Sequence, residues 1–317
     1  MADAADPGDL LAAARSGDRA ALGRLLSLVE RGGPEARTVA RVTHPLGGAA
    51  YTVGITGAPG SGKSTLTSSL VGRMRADGTD VAVLAIDPSS PFTGGAILGD
   101  RVRMQDHTGD PGVFIRSMAT RGHLGGLSLA TLEAVRTLDA AGWPWIVIET
   151  VGVGQVEVEV ASAADTTVVV VNPGWGDAVQ ANKAGLLEIA DVFVVNKADR
   201  PGVEEARRDL ERSLDMSERG SWRPPVVTTT ATTDAGTDEL WGAIGAHRGH
   251  LESSGELEPR RRARIGDELA RILAALLRER AIDSAGARLD ELAAEVASRS
   301  VDPWTAAERL LSDATGA

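Results

Sequence analysis

The sequence predicts an α/β protein with a mostly parallel sheet covered by helices and with helical extensions at both ends. Three observations lead to this prediction. Seven short runs rich in β-branched residues alternate with helical stretches between residues 49 and 255, the runs are apolar almost throughout, and both ends of the chain lack strand signals. The expected strands are YTVGIT, VAVLAI, VFIR, WIVIE, TTVVVV, DVFVV and PVVTT.

Both ends of the chain carry helical patterns. Leu and Ala recur at helical spacing in residues 1–48, and Gly-Gly-Pro interrupts them, so we expect a helical N-terminal extension. Residues 256–317 are rich in Ala, Leu, Arg and Glu, which predicts helices over 261–281, 286–299 and 303–313. This segment has too few apolar residues for an independent core. We therefore expect it to pack on a partner subunit or on the central domain of residues 49–255.

The composition excludes several classes of function. The 317 residues include 33 basic and 44 acidic side chains, and the net charge of −11 repels nucleic acid and anionic lipid. The absence of cysteine rules out disulfides and thiolate metal sites. No apolar run reaches the roughly 20 residues that a membrane-spanning helix needs, and no signal-peptide pattern opens the chain. We expect a cytoplasmic protein without nucleic-acid or membrane partners.

A glycine-rich segment follows the first predicted strand and precedes a helical stretch. It fits the pattern GxxxxGK[ST], in which glycines let backbone N–H groups converge on an anion, Lys63 reaches the outer phosphates and Ser64 binds Mg²⁺. A glycine-rich turn that binds nothing is the alternative, and the strand-loop-helix context speaks against it. The segment predicts a P-loop NTPase whose phosphate-binding residues are Gly57, Ala58, Pro59, Gly60, Ser61, Gly62, Lys63, Ser64 and Thr65.

A second motif, Asn196-Lys197-Ala198-Asp199, closes the predicted strand DVFVV. Its side chains should emerge at the carboxyl edge of the sheet, where doubly wound folds bind ligands. The Asp199 carboxylate can accept hydrogen bonds from both N–H groups of guanine, a donor pair that adenine lacks. A backbone amide of Thr230 or Ala231, after the strand PVVTT, is expected to meet the guanine carbonyl. The NKxD motif thus predicts GTP and GDP as ligands.

Three acidic residues are expected to flank the phosphates. Asp87 and Glu149 end predicted strands, and Asp100 lies in a glycine-rich loop. Carboxylates in such places hold Mg²⁺ or orient the attacking water, and the N–H of Gly152 can donate to a γ-phosphate. Each carboxylate taken alone also fits a helix cap, but together they predict a metal and catalytic set of Lys63, Ser64, Asp87, Asp100 and Glu149.

Several long motifs resemble the MeaB/ArgK/MMAA family of GTPases. They are AIDPSSPFTGGAILGDRVRM, HLGGLS, IETVGVGQVEVEVA, GDAVQANKAGLLEIADVFVVNKAD and WRPPVVTT, which together span about residues 50 to 255. The resemblance implies a GTP-hydrolysing chaperone of an adenosylcobalamin-dependent acyl-CoA mutase, such as methylmalonyl-CoA mutase, that assists cofactor loading, protection or exchange. It also implies a homodimer formed through the C-terminal helices, and mobile switch loops near residues 87–107, 149–161 and 174–185.

The chain departs from this family where a partner would be sensed. Asp177, Gln180 and Lys183 match the family's GDxLQGIKxG, whereas Ala181-Asn182 replaces Gly-Ile, and Trp175 precedes the motif. The segment SMATRGHLGG at 117–126 also replaces the family's usual proline-containing stretch that ends in SGxLGG. These departures fit a divergent paralogue and leave open an isobutyryl-, hydroxyisobutyryl- or ethylmalonyl-type mutase.

Two other functions compete with the mutase-associated GTPase. A P-loop kinase for a small molecule would share the phosphate loop, although it has little use for guanine selectivity. A metal-insertion GTPase normally carries a Cys/His relay, and this chain has no Cys. His247 and His250, at helical i, i+3 spacing, are predicted to lie on a helix surface rather than to bind a metal.

Overall fold

The computed structural model describes residues 6–87, 105–107, 109–119, 129–150, 159–174, 183–216 and 220–315. Its centre is a seven-stranded sheet in which all neighbouring strands pair in parallel, in the order β3-β2-β4-β1-β5-β6-β7. The strands are β1 (Tyr51–Gly57), β2 (Val81–Asp87), β3 (Val113–Ala119), β4 (Trp145–Thr150), β5 (Thr166–Val171), β6 (Val192–Asn196) and β7 (Val226–Thr229). Each of the seven predicted strands is therefore present, and the predicted α/β fold is confirmed.

The strand sequences explain the burial of the sheet, and the strand order shows where a ligand-binding crevice opens. Every residue of β1, β2, β4, β5 and β6 is buried, as the nearly continuous apolar runs predicted for a sheet covered on both faces. β4 and β5 follow one another in the chain but lie on opposite sides of β1. Such a reversal opens a crevice at the carboxyl ends of the strands, which here is the end of β1.

Helices cover both faces of the sheet. The N-terminal extension forms α1 (Pro7–Arg15), α2 (Arg19–Arg31) and α3 (Gly33–Thr43). Between the strands lie α4 (Lys63–Ala76), α5 (Leu129–Ala140), α6 (Lys183–Ile189) and α7 (Val203–Asp215), and α8 (Thr237–Ser254) follows β7. α4 and α8 cover one face. On the other face α1, α2, α3 and α5 pack on the β3-β2-β4 half, while α6 and α7 pack on β5 and β6.

The ends of α2 have local causes in the sequence, and α2 stops at the Gly-Gly-Pro that was expected to interrupt the helical pattern. The side chain of Asp18 accepts hydrogen bonds from the N–H groups of Ala20 and Ala21 at the start of α2. Gly32 ends α2 with φ of 76°, a conformation that glycine adopts without steric cost. Apolar residues of α1 and α2 are buried in one core with residues of β2, β3 and β4. The extension therefore belongs to the same packed unit as the sheet.

The chain divides into two compact units, Met1–Arg260 and Arg261–Ala317. Helix α9 (Leu257–Ala285) begins in the first unit, and the rest of it forms the second unit with α10 (Ala287–Ala297) and α11 (Pro303–Thr315). The three predicted C-terminal helices are thus present, and α9 is longer than predicted at both ends. No helix in the described ranges combines the length and the apolar character needed to cross a bilayer.

Asp191, between α6 and β6, joins several elements at the amino edge of the sheet. Its carboxylate accepts hydrogen bonds from Thr167 N and from Arg260 Nη1, at 2.8 and 3.1 Å. His247 Nε2 lies 3.2 Å from the same carboxylate, and His247 Nδ1 lies 2.9 Å from Thr166 Oγ1. His247 is fully buried, so the prediction that it decorates a helix surface is wrong. It is a packing residue of α8 that reaches the starts of β5 and β6.

Candidate functional site

The predicted phosphate loop connects the end of β1 to the start of α4. Gly57 has φ of 135°, and a Cβ added there would lie 2.0 Å from the carbonyl oxygen of Val170 on β5. Gly62 has φ of 91°, and a Cβ there would lie 2.4 Å from Asn196 Nδ2. Both positions therefore need glycine for backbone conformation and for space. The loop passes close to two neighbouring strands, and the helix that follows presents its amino end to the same crevice.

Lys63 and Ser64 open α4 and are both buried. Lys63 Nζ donates hydrogen bonds to the carbonyl oxygens of Gly57 and Ala58, at 2.6 and 2.9 Å, which holds the ammonium group over the loop. Ser64 Oγ donates to Glu149 Oε1 at 2.5 Å. The structure thus brings the predicted phosphate-binding lysine and the predicted metal-binding hydroxyl to the carboxyl end of β1.

The strand register places the two described carboxylates beside this loop. Glu149 pairs with Ile55 on β1 and with Ala85 on β2, and Asp87 lies two residues beyond Ala85. Asp87 and Glu149 are 3% and 1% exposed. A hydroxyl and two carboxylates, buried at one edge of the sheet, are the hard oxygen donors that Mg²⁺ prefers. The residues present therefore fit a magnesium ion held near Ser64.

The predicted base-recognition motif is joined to the phosphate loop by direct hydrogen bonds. Asn196 Nδ2 donates to the carbonyl oxygen of Ser61 at 2.9 Å, and Lys197 Nζ donates to that of Gly60 at 2.6 Å. Asn196 Oδ1 accepts from Thr229 Oγ1 at 3.0 Å and from Ala231 N at 3.2 Å. One buried amide therefore connects the phosphate loop, β6 and the loop after β7.

The remaining base-recognition residues are placed as follows. Asp199 is exposed at the carboxyl edge of the sheet, where its carboxylate is open to a ligand. Thr230 N donates to Ala235 O at 2.9 Å, and Ala231 N donates to Asn196. The amides expected to meet the guanine carbonyl thus already make internal hydrogen bonds. Their contact with guanine stays a prediction that requires one of these bonds to be shared or replaced.

A cleft of about 670 Å³ lies beside the motifs. Thr65 and Ser68 on α4 line one wall, Ala231, Thr232 and Asp234 line another, and His107 adjoins Ser68. His107 Nε2 lies 3.0 Å from both Ser68 Oγ and Ser68 O. Nearby, the Arg75 guanidinium of α4 hydrogen-bonds the Asp110 carboxylate before β3 and lowers its pKa. These contacts hold the middle and the carboxyl end of α4 against the segment that precedes β3.

Some predicted residues lie outside the described part of the chain. They are Asp100, Gly152, Trp175, Asp177 and Gln180. Lys183 is the first residue of α6, and the described contacts do not include its side chain. The roles assigned to these six residues remain predictions.

Sequence analysis missed a buried pair of hydroxyl groups beside the site. Thr150 Oγ1 donates to Thr56 Oγ1 at 3.1 Å, and both residues are fully buried. Thr56 immediately precedes Gly57, and Thr150 immediately follows Glu149. The pair therefore connects the strand that leads into the phosphate loop with the strand that carries Glu149. Threonines within the last two positions of two otherwise largely apolar strands are the sequence signal that could have found it.

Comparisons with known proteins agree with this geometry. The family model described as methylmalonyl Co-A mutase-associated GTPase MeaB matches residues 22–286. A protein of Pyrococcus abyssi named as a GTPase is 50% identical and covers 97% of both chains. The GTPase ArgK of Escherichia coli is 40% identical over 77% of this chain and 76% of its own.

Among solved structures, the chain is similar to the crystal structure of a LAO/AO transport system kinase. The TM-score is 0.72 with 28% sequence identity, and 98% of each chain is covered. The phosphate loop, the predicted guanine-recognition motif, the parallel sheet and the similarity over nearly the full length therefore lead to one assignment. The chain is a GTPase and belongs to the MeaB family of methylmalonyl-CoA mutase-associated GTPases.

Proposed function

We propose that this GTPase acts as a G-protein chaperone of an adenosylcobalamin-dependent acyl-CoA mutase, assisting cofactor loading, protection or exchange. The observation that carries the proposal is the match of the MeaB family model over residues 22–286, which includes both nucleotide motifs. A chaperone role requires a nucleotide site that can be read by a partner. Strands β2, β4 and β5 end at Asp87, Thr150 and Val171, at the same edge of the sheet as the phosphate loop, and we expect a partner to sense the nucleotide at this edge.

The site residues have distinct roles in the proposed hydrolysis of GTP. Lys63 places a positive charge on the β- and γ-phosphates, while the backbone N–H groups of the loop bind their oxygens. Ser64, Asp87 and Glu149 would hold Mg²⁺, directly or through water, and the ion would neutralise charge that develops on the phosphates. We expect the buried Glu149 also to orient the attacking water. Asp199 selects guanine, because its carboxylate accepts from two N–H groups that adenine does not offer.

We also propose that the C-terminal unit forms a homodimer with a second copy of the chain. Within that unit, α9 exposes four apolar side chains at spacings of four residues: Ile265, Leu269, Leu273 and Leu277, which are 52, 61, 58 and 39% exposed. This spacing aligns them along one stripe of the helix. An exposed apolar stripe of this length is typical of an interaction surface, and pairing two such stripes would bury both.

The mutase is to be identified by its effect on the nucleotide cycle. Candidate acyl-CoA mutases from the source organism are titrated into the GTPase while phosphate release is measured. We expect slow hydrolysis alone and stimulation by the true partner, since a hundredfold gain needs only about 2.7 kcal/mol of additional transition-state stabilisation. Complex formation should also differ between GDP and a non-hydrolysable GTP analogue, because linkage is reciprocal.

The outcome that contradicts the proposal is clear. If no acyl-CoA mutase of the organism changes either quantity, the chaperone function is wrong and a stand-alone GTPase remains. The same assay, run with γ-labelled GTP and candidate small-molecule acceptors, separates hydrolysis from transfer. Label that appears in an acceptor rather than in inorganic phosphate would favour a kinase.

A further inference from the structure

At the end of β2, Asp87 is paired with β3 in the sheet. Pairing of β2 with β4 extends to Ile86, which lies opposite Thr150, whereas pairing of β2 with β3 extends one residue further, to Asp87 opposite Ala119. Within the described residues, Ala119 is therefore the sheet partner of Asp87. Whatever holds the end of β3 in place also holds the backbone of Asp87.

β3 lies at the edge of the sheet. A carboxylate from the N-terminal extension binds the backbone N–H of its last residue. The N–H of Ala119 donates to Glu30 Oε1 at 3.3 Å. The other oxygen, Glu30 Oε2, accepts a hydrogen bond from Arg116 Nη2 at 3.0 Å. The Arg116 guanidinium also donates to Ser27 Oγ at 3.2 Å. Glu30 thus binds β3 at two points, the backbone N–H of Ala119 and the side chain of Arg116. The backbone contact takes the place of a hydrogen bond that a further strand would make.

Burial makes this contact stronger than a surface ion pair. The side chains of Glu30 and Arg116 are 14% and 19% exposed, so solvent screens their attraction only in part. Glu30 is also held from behind, because Leu25, Leu26 and Val29 of α2 are fully or almost fully buried against the sheet. The carboxylate therefore has little freedom to follow β3 if the strand end moves.

We propose that Glu30 is a positioning residue for the magnesium site: it fixes Ala119 and, through the last β2–β3 pair, the carboxylate of Asp87. This inference rests on the proposed role of Asp87 in Mg²⁺ binding. Without the Glu30 contact the edge strand frays at its last residue, where local stability is lowest. Asp87 then loses the strand partner that helps to fix its backbone, and binding of a metal with strict octahedral geometry weakens. The N-terminal extension becomes part of the catalytic apparatus rather than a cover for the sheet.

The test measures how strongly Mg²⁺ tightens the binding of GDP. The dissociation constant of GDP is determined by calorimetry with saturating Mg²⁺ and again with EDTA. The magnesium linkage is the constant in EDTA divided by the constant in Mg²⁺, so a larger ratio means that Mg²⁺ tightens GDP binding more. A residue that only stabilises the fold changes the melting temperature but leaves this ratio unchanged in folded protein. We expect Glu30→Ala to lower the ratio about tenfold, within the range of typical coupling between sites, and to leave GDP affinity in EDTA close to that of the wild type.

Two further variants make the result specific. Glu35→Ala removes an exposed carboxylate of the same extension, which pairs only with Arg31 at the surface among the described residues, and should leave the ratio unchanged. Glu30→Gln keeps an oxygen that can accept from Ala119 N but loses the charge opposite Arg116. We therefore expect it to retain a larger part of the linkage than Glu30→Ala, and it remains available if the alanine variant does not fold.

Asp87→Asn separates failure of this inference from failure of the magnesium assignment. If Asp87→Asn leaves the linkage intact, Asp87 does not serve the metal and the proposed site is wrong. If Asp87→Asn abolishes the linkage while Glu30→Ala and Glu30→Gln both keep the wild-type ratio, Glu30 is only structural and the inference is overturned. If the inference is correct, adding Glu30→Ala to Asp87→Asn should lower the ratio no further.

Discussion

Replacing Asn196 by alanine should disconnect the two halves of the nucleotide site. The amide makes three hydrogen bonds, to Ser61 O, from Thr229 Oγ1 and from Ala231 N, and Asn196 is 2% exposed. At about 1 kcal/mol of net stabilisation for each bond, Asn196→Ala should lower the free energy of unfolding by about 3 kcal/mol. Because Ser61 and Ala231 lie in the phosphate and base loops, GDP affinity should fall at least about tenfold, which corresponds to about 1.4 kcal/mol.

Thr229→Val is the matched control for this prediction. It removes only the hydrogen bond from Thr229 Oγ1 and keeps the shape of a buried side chain. We expect a loss of about 1 kcal/mol in the free energy of unfolding and little change in GDP affinity. Urea unfolding gives the first quantity and calorimetry the second. If Asn196→Ala binds GDP as tightly as Thr229→Val does, the amide does not connect the loops, and the reasoning from these three bonds is refuted.

Three other outcomes are expected. Lys63→Ala should slow GTP hydrolysis by several orders of magnitude with the fold intact by circular dichroism, because it removes the charge held over the phosphate loop; near-normal turnover would contradict the site. Asp199→Asn should shift preference from GTP towards XTP in competition binding, since Asn donates to the xanthine carbonyl that Asp repels; unchanged selectivity would show that another residue reads the base. A chain that ends after Arg260 keeps the Arg260–Asp191 pair and should be a monomer by light scattering that still binds GDP, whereas a persisting dimer would place the interface elsewhere.

The sequence predicted the parts of the molecule that depend on local pattern. All seven strands and the positions of Asp87, Glu149 and Asn196 at strand ends follow from apolar runs that stop at a polar residue. Parallel strands bring such ends to one edge, so the meeting of the phosphate loop with the base motif could be expected before the structure was known. The hydrogen bonds of Asn196 to Ser61 and of Lys197 to Gly60 supply the contacts that pattern alone does not specify.

Contacts between distant elements could not be predicted in this way. Glu30 and Ala119 are separated by 89 residues, and no periodicity links a glutamate in one helix to the end of an edge strand. His247 was expected on a surface because i, i+3 spacing identifies a helix face without saying which face meets the sheet. Its partner Thr166 begins β5 and its partner Asp191 directly precedes β6, and only the structure shows that these two strands are neighbours.

Asp191 connects the first turn of α9 to β6, the strand that ends at the predicted base-recognition motif. Arg260, in the first turns of α9, binds Asp191 directly before β6, and the same strand ends five residues later at Asn196. The extended chain from Asp191 to Asn196 spans about 16 Å, at about 3.3 Å per residue. Because β6 is buried and paired on both sides, it transmits a shift of one end to the other. If self-association displaces the first turn of α9, Asp191 moves with Arg260 at the start of β6. The shift is then transmitted along β6 to Asn196 at its other end. Nucleotide affinity would then vary with protein concentration, because β6 would couple self-association to guanine binding.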